Sequence, residues 1–311
     1  MSRHILKRTK LQKIRFNTKR DLPIYFLLLP SIILVIIFNY FPIYGAIIAF
    51  KDFSPGLGIL KSDWIRFDNF NLFLKDPYFW RVIINTLKIN IFSLIFGFPA
   101  PIIFALLLNE VSKRWFKSVV QTISYLPFFI SWVVVASIVY TITAPESGLI
   151  NILLSKFGIN SIYFMSEEKF FVPVVVISGI WKGTGMSSIY YLASLSSIDP
   201  QLYDSCYLEG AGRWRQTIHI TLPGLKNIIT VMLVLQLGSI ASIGFDNIFL
   251  LQNPLLYKVS DVISTYTYRI GLIDMQYSLT AAIGLTQSFV NFILVVGANQ
   301  ASKKLTGWSL W

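Results

Sequence analysis

The chain has 311 residues, of which 54% are apolar and only 14% charged. Soluble domains carry about 25% charged residues, so this deficit, with a mean hydropathy of +0.62, excludes a water-soluble globule and a disordered chain alike. The 27 Lys and Arg against 15 Asp and Glu would point to nucleic acid on a polar surface, but in a membrane protein they are read by position, because cytoplasmic loops collect basic residues. A single cysteine, Cys206, excludes an internal disulfide or a cysteine metal cluster.

Taken from the start, residues 1–20 hold Arg3, Lys7, Arg8, Lys10, Lys13, Arg15, Lys19 and Arg20, and an apolar run follows. That run is too long for the h-region of a signal peptide and lacks an A-x-A-like cleavage site, so it reads as an uncleaved first span. Windows free of Asp, Glu, Lys and Arg then mark six spans, at 22–50, 89–109, 118–145, 170–198 (interrupted only by Lys182), 227–245 and 275–302. Each is long enough for a bilayer-spanning helix, and each is continuously apolar rather than alternating, which favours helices over a barrel. The expected fold is therefore all-α, with a basic N-tail at 1–21, a transmembrane domain at 22–302 and a short C-tail at 303–311. With the N-terminus inside, the inner segments hold sixteen Lys and Arg and the outer loops eight. This predicts that both termini are cytoplasmic.

Two interruptions carry charge. Lys182 inside the fourth span either lines a water-filled path or anion site, or snorkels and pairs with a neighbouring helix. Asp246, next to Asn247 at the end of the fifth window, either hydrogen-bonds a polar solute or caps the helix.

Between the fourth and fifth spans, Asp199-Pro200 is a helix-start signal, with an N-cap oxygen followed by a residue of preset φ. Leu202, Tyr203 and Cys206 share one face of the helix that follows. Gly210 and Gly212 then permit a turn, and a second helical piece is expected over 213–219, limited by Pro223. The product is a short helix–turn–helix whose apolar face needs a cover, from lipid headgroups or a partner protein.

The chemistry of an enzyme is missing. There is no G-x-x-x-x-G-K-[ST] phosphate loop. Gly183-Thr184-Gly185 lies inside a span without a preceding strand, and reads as a flexible or close-packing point. His4 and His219 have no ligand constellation around them, so no cofactor or metal is expected on this chain.

Residues 199–223 resemble the cytoplasmic EAA loop of permease subunits in binding-protein-dependent ABC importers, roughly E-A-A-x-x-x-G followed by I-x-L-P. Asp204-Ser205-Cys206 stands where Glu-Ala-Ala usually stands, Gly210 supplies the glycine, and Ile220-Thr221-Leu222-Pro223 completes the motif. The triplet departs from the pattern in having a shorter acid and two other small residues. Further stretches are similar to the LplB-like polysaccharide branch of carbohydrate permeases: 49–55, 109–111, 124–133, 181–183, 266–269 and the ending 307–311.

The resemblance implies a MetI-like core, a second homologous permease subunit, two ATPase subunits holding ATP and Mg, and an extracellular solute-binding lipoprotein that delivers an oligosaccharide. Nucleic acid has no place in it, and membrane lipid surrounds it. It also implies that Tyr203, Asp204, Ser205, Cys206, Glu209, Gly210, Ala211, Leu222 and Pro223 form the ATPase-coupling element. Asp204 is expected to make a polar contact, Gly210 to allow close approach, and Leu222-Pro223 to join the loop to the fifth span. Because sugars need amide and hydroxyl partners, Gln236, Ser239, Asp246, Asn247, Gln287 and Asn291 are the candidate path residues, the alternative being interhelical hydrogen-bonding. A permease for a peptide or amino acid, and a signalling subunit without transport, remain as other readings.

Overall fold

A computed structural model describes residues 10–307. Among the described residues, five helices are long and apolar enough to cross a membrane: Asp21–Phe50, Pro77–Asn109, Glu168–Leu195, Arg213–Gly238 and Tyr277–Lys304. A sixth crossing is made by a broken pair, Arg114–Phe129 and Trp132–Thr143, bent by 102°. Two ion pairs show that this pair carries the chain across. Glu110, just past the second span, meets Arg213 at the start of the fifth (3.7 Å), so both lie at the end that also holds the Asp199 loop. Glu168, at the start of the fourth span, meets Lys258 (3.2 Å) at the opposite end. The segment between Glu110 and Glu168 must therefore pass from one end to the other. Of the terminal segments, Arg3, Lys7, Arg8, His4 and residues 308–311 lie outside the described residues.

The spans differ from the charge-free windows chiefly at their ends. The second begins at Pro77 rather than near residue 89, because Asp76 caps it by accepting the Tyr78 N–H (2.8 Å) and Pro77 supplies the first-turn φ. Arg81 and Lys88 are exposed on its surface. The fifth begins at Arg213 and stops at Gly238, so Pro223 does not limit a preceding helix. It sits inside a continuous rod, two residues beyond a wide π turn at Thr217–Thr221.

The same offset recurs. A π turn at Ile36–Tyr40 precedes Pro42, and one at Ser93–Gly97 precedes Pro99. A proline lacks the N–H for its i−4 carbonyl and its ring collides with that carbonyl; a wider turn just before it moves the carbonyl away.

Close backbone approach joins the third and fourth spans. A Cβ on Gly185 would lie 2.0 Å from the Ser124 carbonyl oxygen, so only glycine fits there. The same requirement joins the fifth and sixth spans, where a Cβ on Gly238 would meet Val295 at 2.1 Å. Small residues of this kind are what let membrane helices touch where water offers no hydrophobic drive.

At the end opposite the Asp199 loop, a buried core of Phe73, Phe79, Val82, Ile263, Tyr266 and Ile283 ties the segment 261–270 to the second and sixth spans. Asp261 is fully buried there and pairs with Arg269; it also accepts from the Tyr78 hydroxyl and from Thr265 Oγ1 (2.8 Å). Burial, aided by the Asp76 carboxylate beside it, pushes the Tyr266 phenol up to about 12, so its hydroxyl remains a donor, here toward Asp76 at 3.3 Å.

Replacing Gly185 by Ala should force the third and fourth spans apart at a cost of about 1–3 kcal/mol. Gly183→Ala should not destabilise, because nothing lies within 4 Å of its Cβ position and alanine suits a helix interior better than glycine. Thermal unfolding of the two variants in detergent distinguishes them, and equal midpoints would contradict the backbone contact.

Candidate functional site

Two places stand out from a plain helical bundle: the Asp199 loop, and a mid-depth layer where two spans are interrupted.

The loop is built from its caps inward. Asp199 accepts the Gln201 N–H (3.0 Å) and Pro200 starts the helix Pro200–Leu208. The helix closes in a Schellman motif, with Gly210 N–H donating to the Tyr207 carbonyl (2.9 Å) and Ala211 N–H to that of Cys206 (3.0 Å). Gly210 has φ +79°, and a Cβ there would meet nothing within 4 Å. Within this chain, then, its glycine is required by left-handed backbone. Tyr203 and Cys206 are half-buried, and the Tyr203 hydroxyl shares a hydrogen bond with Thr221 Oγ1 (3.1 Å), which ties the helix to the base of the fifth span.

Leu202, on the same face of this helix, is 52% exposed, and Tyr207 (74%), Leu208 (85%) and Trp214 (77%) are exposed as well. Asp204, Ser205 and Glu209 lie on the same open side, while Ala211 is half-buried. Leu222 and Pro223 are exposed in the first turn that follows the π turn. The loop thus offers an apolar, aromatic surface with acidic groups, held on a rigid stem.

At mid-depth the fifth span ends at Gly238, and residues 239–244 run without helix. Irregular backbone inside a bilayer needs partners from the protein, and amide side chains supply them. Asn90 Nδ2, from the second span, donates to the carbonyls of Ile240 (2.8 Å) and Ser242 (3.0 Å). Gln287 Nε2, from the sixth, donates to the Ala241 carbonyl (2.7 Å), and Asn291 Nδ2 to Ser242 Oγ (2.7 Å). The buried Oδ1 atoms of Asn247 and Asn291 accept no hydrogen bond among the described residues.

Beside this segment lies a cavity of about 470 Å³ between the second, fourth and fifth spans. Ser93, Thr184, Ser187, Tyr190, Gln236 and Ser239 give it polar groups, with Phe98, Ile180 and Met232 among its apolar walls. No charged side chain is among its lining residues.

Of the six candidate path residues, the structure brings Gln236 and Ser239 to this cavity. Gln287 and Asn291 act instead as clamps on the unwound segment. Asp246 is not inside a span at all; it lies exposed in the short helix Phe245–Phe249, because the fifth span stops eight residues before it, and it does not line the cavity. Asn247, in the same short helix, is half-buried and lines no part of it either. Asn90 and Ser93 were missed by sequence reading; their signal is a pair of polar residues three apart inside an apolar window.

These features define a multi-pass membrane protein with a mid-depth cavity of mixed polar and apolar lining and a rigid loop presented at one face. The family described as the binding-protein-dependent transport system inner membrane component matches residues 97–306, and the chain belongs to this family. Among known relatives, it is 43% identical to the protein LplB of Bacillus subtilis, over 92% of this chain and 90% of the relative. It is 39% identical to the polygalacturonan/rhamnogalacturonan transport system permease protein YteP of the same organism, over 96% and 94%.

Two crystal structures of a bacterial alginate ABC transporter contain a similar chain. One is described as importing the acidic polysaccharide alginate (TM-score 0.86, 42% identity, 94% of this chain and 99% of that one). The other holds an alginate pentasaccharide-bound periplasmic protein (TM-score 0.86, 41% identity, 94% and 98%).

Gly210→Ala should destabilise the end of the loop helix by about 1 kcal/mol through its left-handed φ, whereas Gly212→Ala, at φ −70° and in open space, should not. Amide exchange of residues 205–212 reads the difference, and equal protection would contradict the capping motif.

Proposed function

We propose that this chain is one permease subunit of an ATP-driven importer of oligosaccharides, contributing half of the translocation path. The observation that carries the cargo class is similarity along nearly the whole of both chains to polysaccharide permeases. Acidic saccharides are favoured, because the named cargo of both YteP and the alginate transporter is acidic. A cavity lining without carboxylates agrees with that reading, since a fixed negative charge would repel such a cargo.

Four partners complete the assembly: a second homologous permease, two ATPase subunits that hold ATP and Mg, and an external binding protein. The Asp199 loop is the element that the ATPases grip, through Tyr203, Asp204, Ser205, Cys206, Glu209, Gly210 and Ala211, with Leu222 and Pro223 at its root. Its exposed Leu202, Tyr207, Leu208 and Trp214 suit a buried contact, and the Tyr203–Thr221 hydrogen bond passes displacement to the fifth span. That span runs unbroken to Gly238, and Gln236 and Ser239 at its far end line the cavity. A push at the loop therefore reaches the cavity through one rod. Nucleotide shifts the population of inward- and outward-open states by binding one of them more tightly.

Both termini and the Asp199 loop are placed in the cytoplasm by the basic-residue count. In a Cys206→Ser background, an impermeant thiol reagent added to intact cells should label Lys61→Cys, which is exposed at the opposite end, and spare Lys303→Cys. The reverse pattern would overturn the orientation.

Transport is tested in cells that carry the assembled system. ATP-dependent uptake of labelled oligogalacturonides should require this chain, and Tyr207→Glu with Leu208→Glu should lower it at least about tenfold while membrane insertion persists. Normal uptake by that double variant would remove the loop from coupling. Uptake of labelled peptides or amino acids instead of saccharides would overturn the cargo.

A further inference from the structure

The fourth span carries one lysine in mid-helix, and its surroundings are unusual. Lys182 Nζ donates to three backbone carbonyls of the third span: those of Pro127 (3.2 Å), Phe128 (2.9 Å) and Ile130. An ammonium has three donors, and all three are engaged. The same nitrogen lies 5.8 Å from the Phe128 ring centroid and 5.6 Å from that of Trp132.

These carbonyls belong to the point where the third span breaks. Arg114–Phe129 ends there, Ile130 and Ser131 are extended, and Trp132–Thr143 leaves at 102°. The last carbonyls of a helix have no intrahelical partner, and at membrane depth water cannot serve them. A positive charge at a helix C-terminus also opposes the negative end of its dipole. One turn further along the fourth span, Gly185 sits against the Ser124 backbone, so the lysine reaches the break from a fixed base. Beyond the break, the second half of the span is held by the Tyr140 hydroxyl, which donates to the Leu251 carbonyl (3.2 Å) just past the short helix Phe245–Phe249.

We propose that Lys182 is a positioning residue for transport: supplied from the fourth span, it caps the broken third span and holds its bend, and it does not read the charge of the cargo. The transport part of this inference rests on the oligosaccharide-importer reading; the bend itself does not. Every donor that a carboxylated sugar would need is already bound to the protein's own backbone. Without the lysine, the Phe128 and Ile130 carbonyls lose their partner and that of Pro127 keeps only the Ile130 N–H (3.2 Å), so the third span gains by straightening into a continuous helix that satisfies them.

Lys182→Met and Lys182→Arg are compared with wild type in the assembled transporter. The bend is read without cargo, by the distance between spin labels at Lys117→Cys and Thr141→Cys in a Cys206→Ser background. Straightening lengthens it by roughly 10 Å or more, at 1.5 Å rise per residue. Lys182→Met should show the longer distance, and Lys182→Arg, which keeps charge and donors, the wild-type one. An unchanged distance in an assembled Lys182→Met complex overturns the proposal.

For transport, maximal uptake per assembled complex should fall about tenfold in Lys182→Met for acidic and neutral oligosaccharides alike, with half-saturation unchanged and recovery in Lys182→Arg. Loss confined to acidic cargo would make Lys182 a charge reader and overturn the assignment. If wild type takes up no oligosaccharide, the cargo reading fails, and the label distances still decide the bend.

Discussion

Hydrocarbon offers no hydrogen-bond partner to the backbone, and the interruptions of this bundle follow from that constraint. Where a span stops being helical at mid-depth, side chains from another span take over the bonds that the helix gave up. Lys182 does so for the third span, and Asn90 and Gln287 do so for the fifth. These three polar groups, each inside an otherwise apolar window, are thus placed opposite breaks. Because each clamp comes from a different helix than the break it serves, the clamps also fix how the helices sit against one another.

This arrangement divides the labour between the two ends of the molecule. Opposite the Asp199 loop, the buried Asp261–Arg269 pair and its tyrosines bind the 261–270 segment firmly to the second span, so that end is a staple. At the loop end, Tyr203 and the Schellman turn make a stiff handle with an open apolar surface. The cavity lies between, walled by the second, fourth and fifth spans, of which the fourth leads into the loop and the fifth leads out of it. The loop is thus joined to the cavity wall through both of its neighbouring spans.

Much of this was legible in the residues. Charge-free windows located all six crossings, because hydropathy is what the bilayer selects, and Asp199-Pro200 with Gly210 marked the loop helix correctly, because caps and left-handed turns are local. The ends of spans were less legible. Arg213, Arg215 and Lys226 are helical although charged, since they stand outside the apolar stretch on the same rod.

What escaped was non-local. The break after Phe129 depends on an amine some fifty positions later in the chain, and nothing within 118–145 except Pro127 hints at it. Asp246 looked intramembrane because its window ran to Phe245, whereas the helix ended at Gly238, where contact with Val295 demands a glycine. Asp261 and Arg269 lay in what read as an ordinary outer loop.

The prolines placed two residues after a π turn have a consequence for phase. A π turn acts as one extra residue in the helical repeat, so everything beyond it is rotated by about 100° relative to an uninterrupted helix. In the second span, the turn at Ser93–Gly97 therefore decides which side of residues 98–101 looks into the cavity, and Pro99 keeps the turn from closing up. In the fifth, Thr217–Thr221 and Pro223 do the same for Met232 and Gln236. Within such a span the faces before and after the turn keep one fixed phase, so the cavity-facing side of its far half is set by where the turn lies.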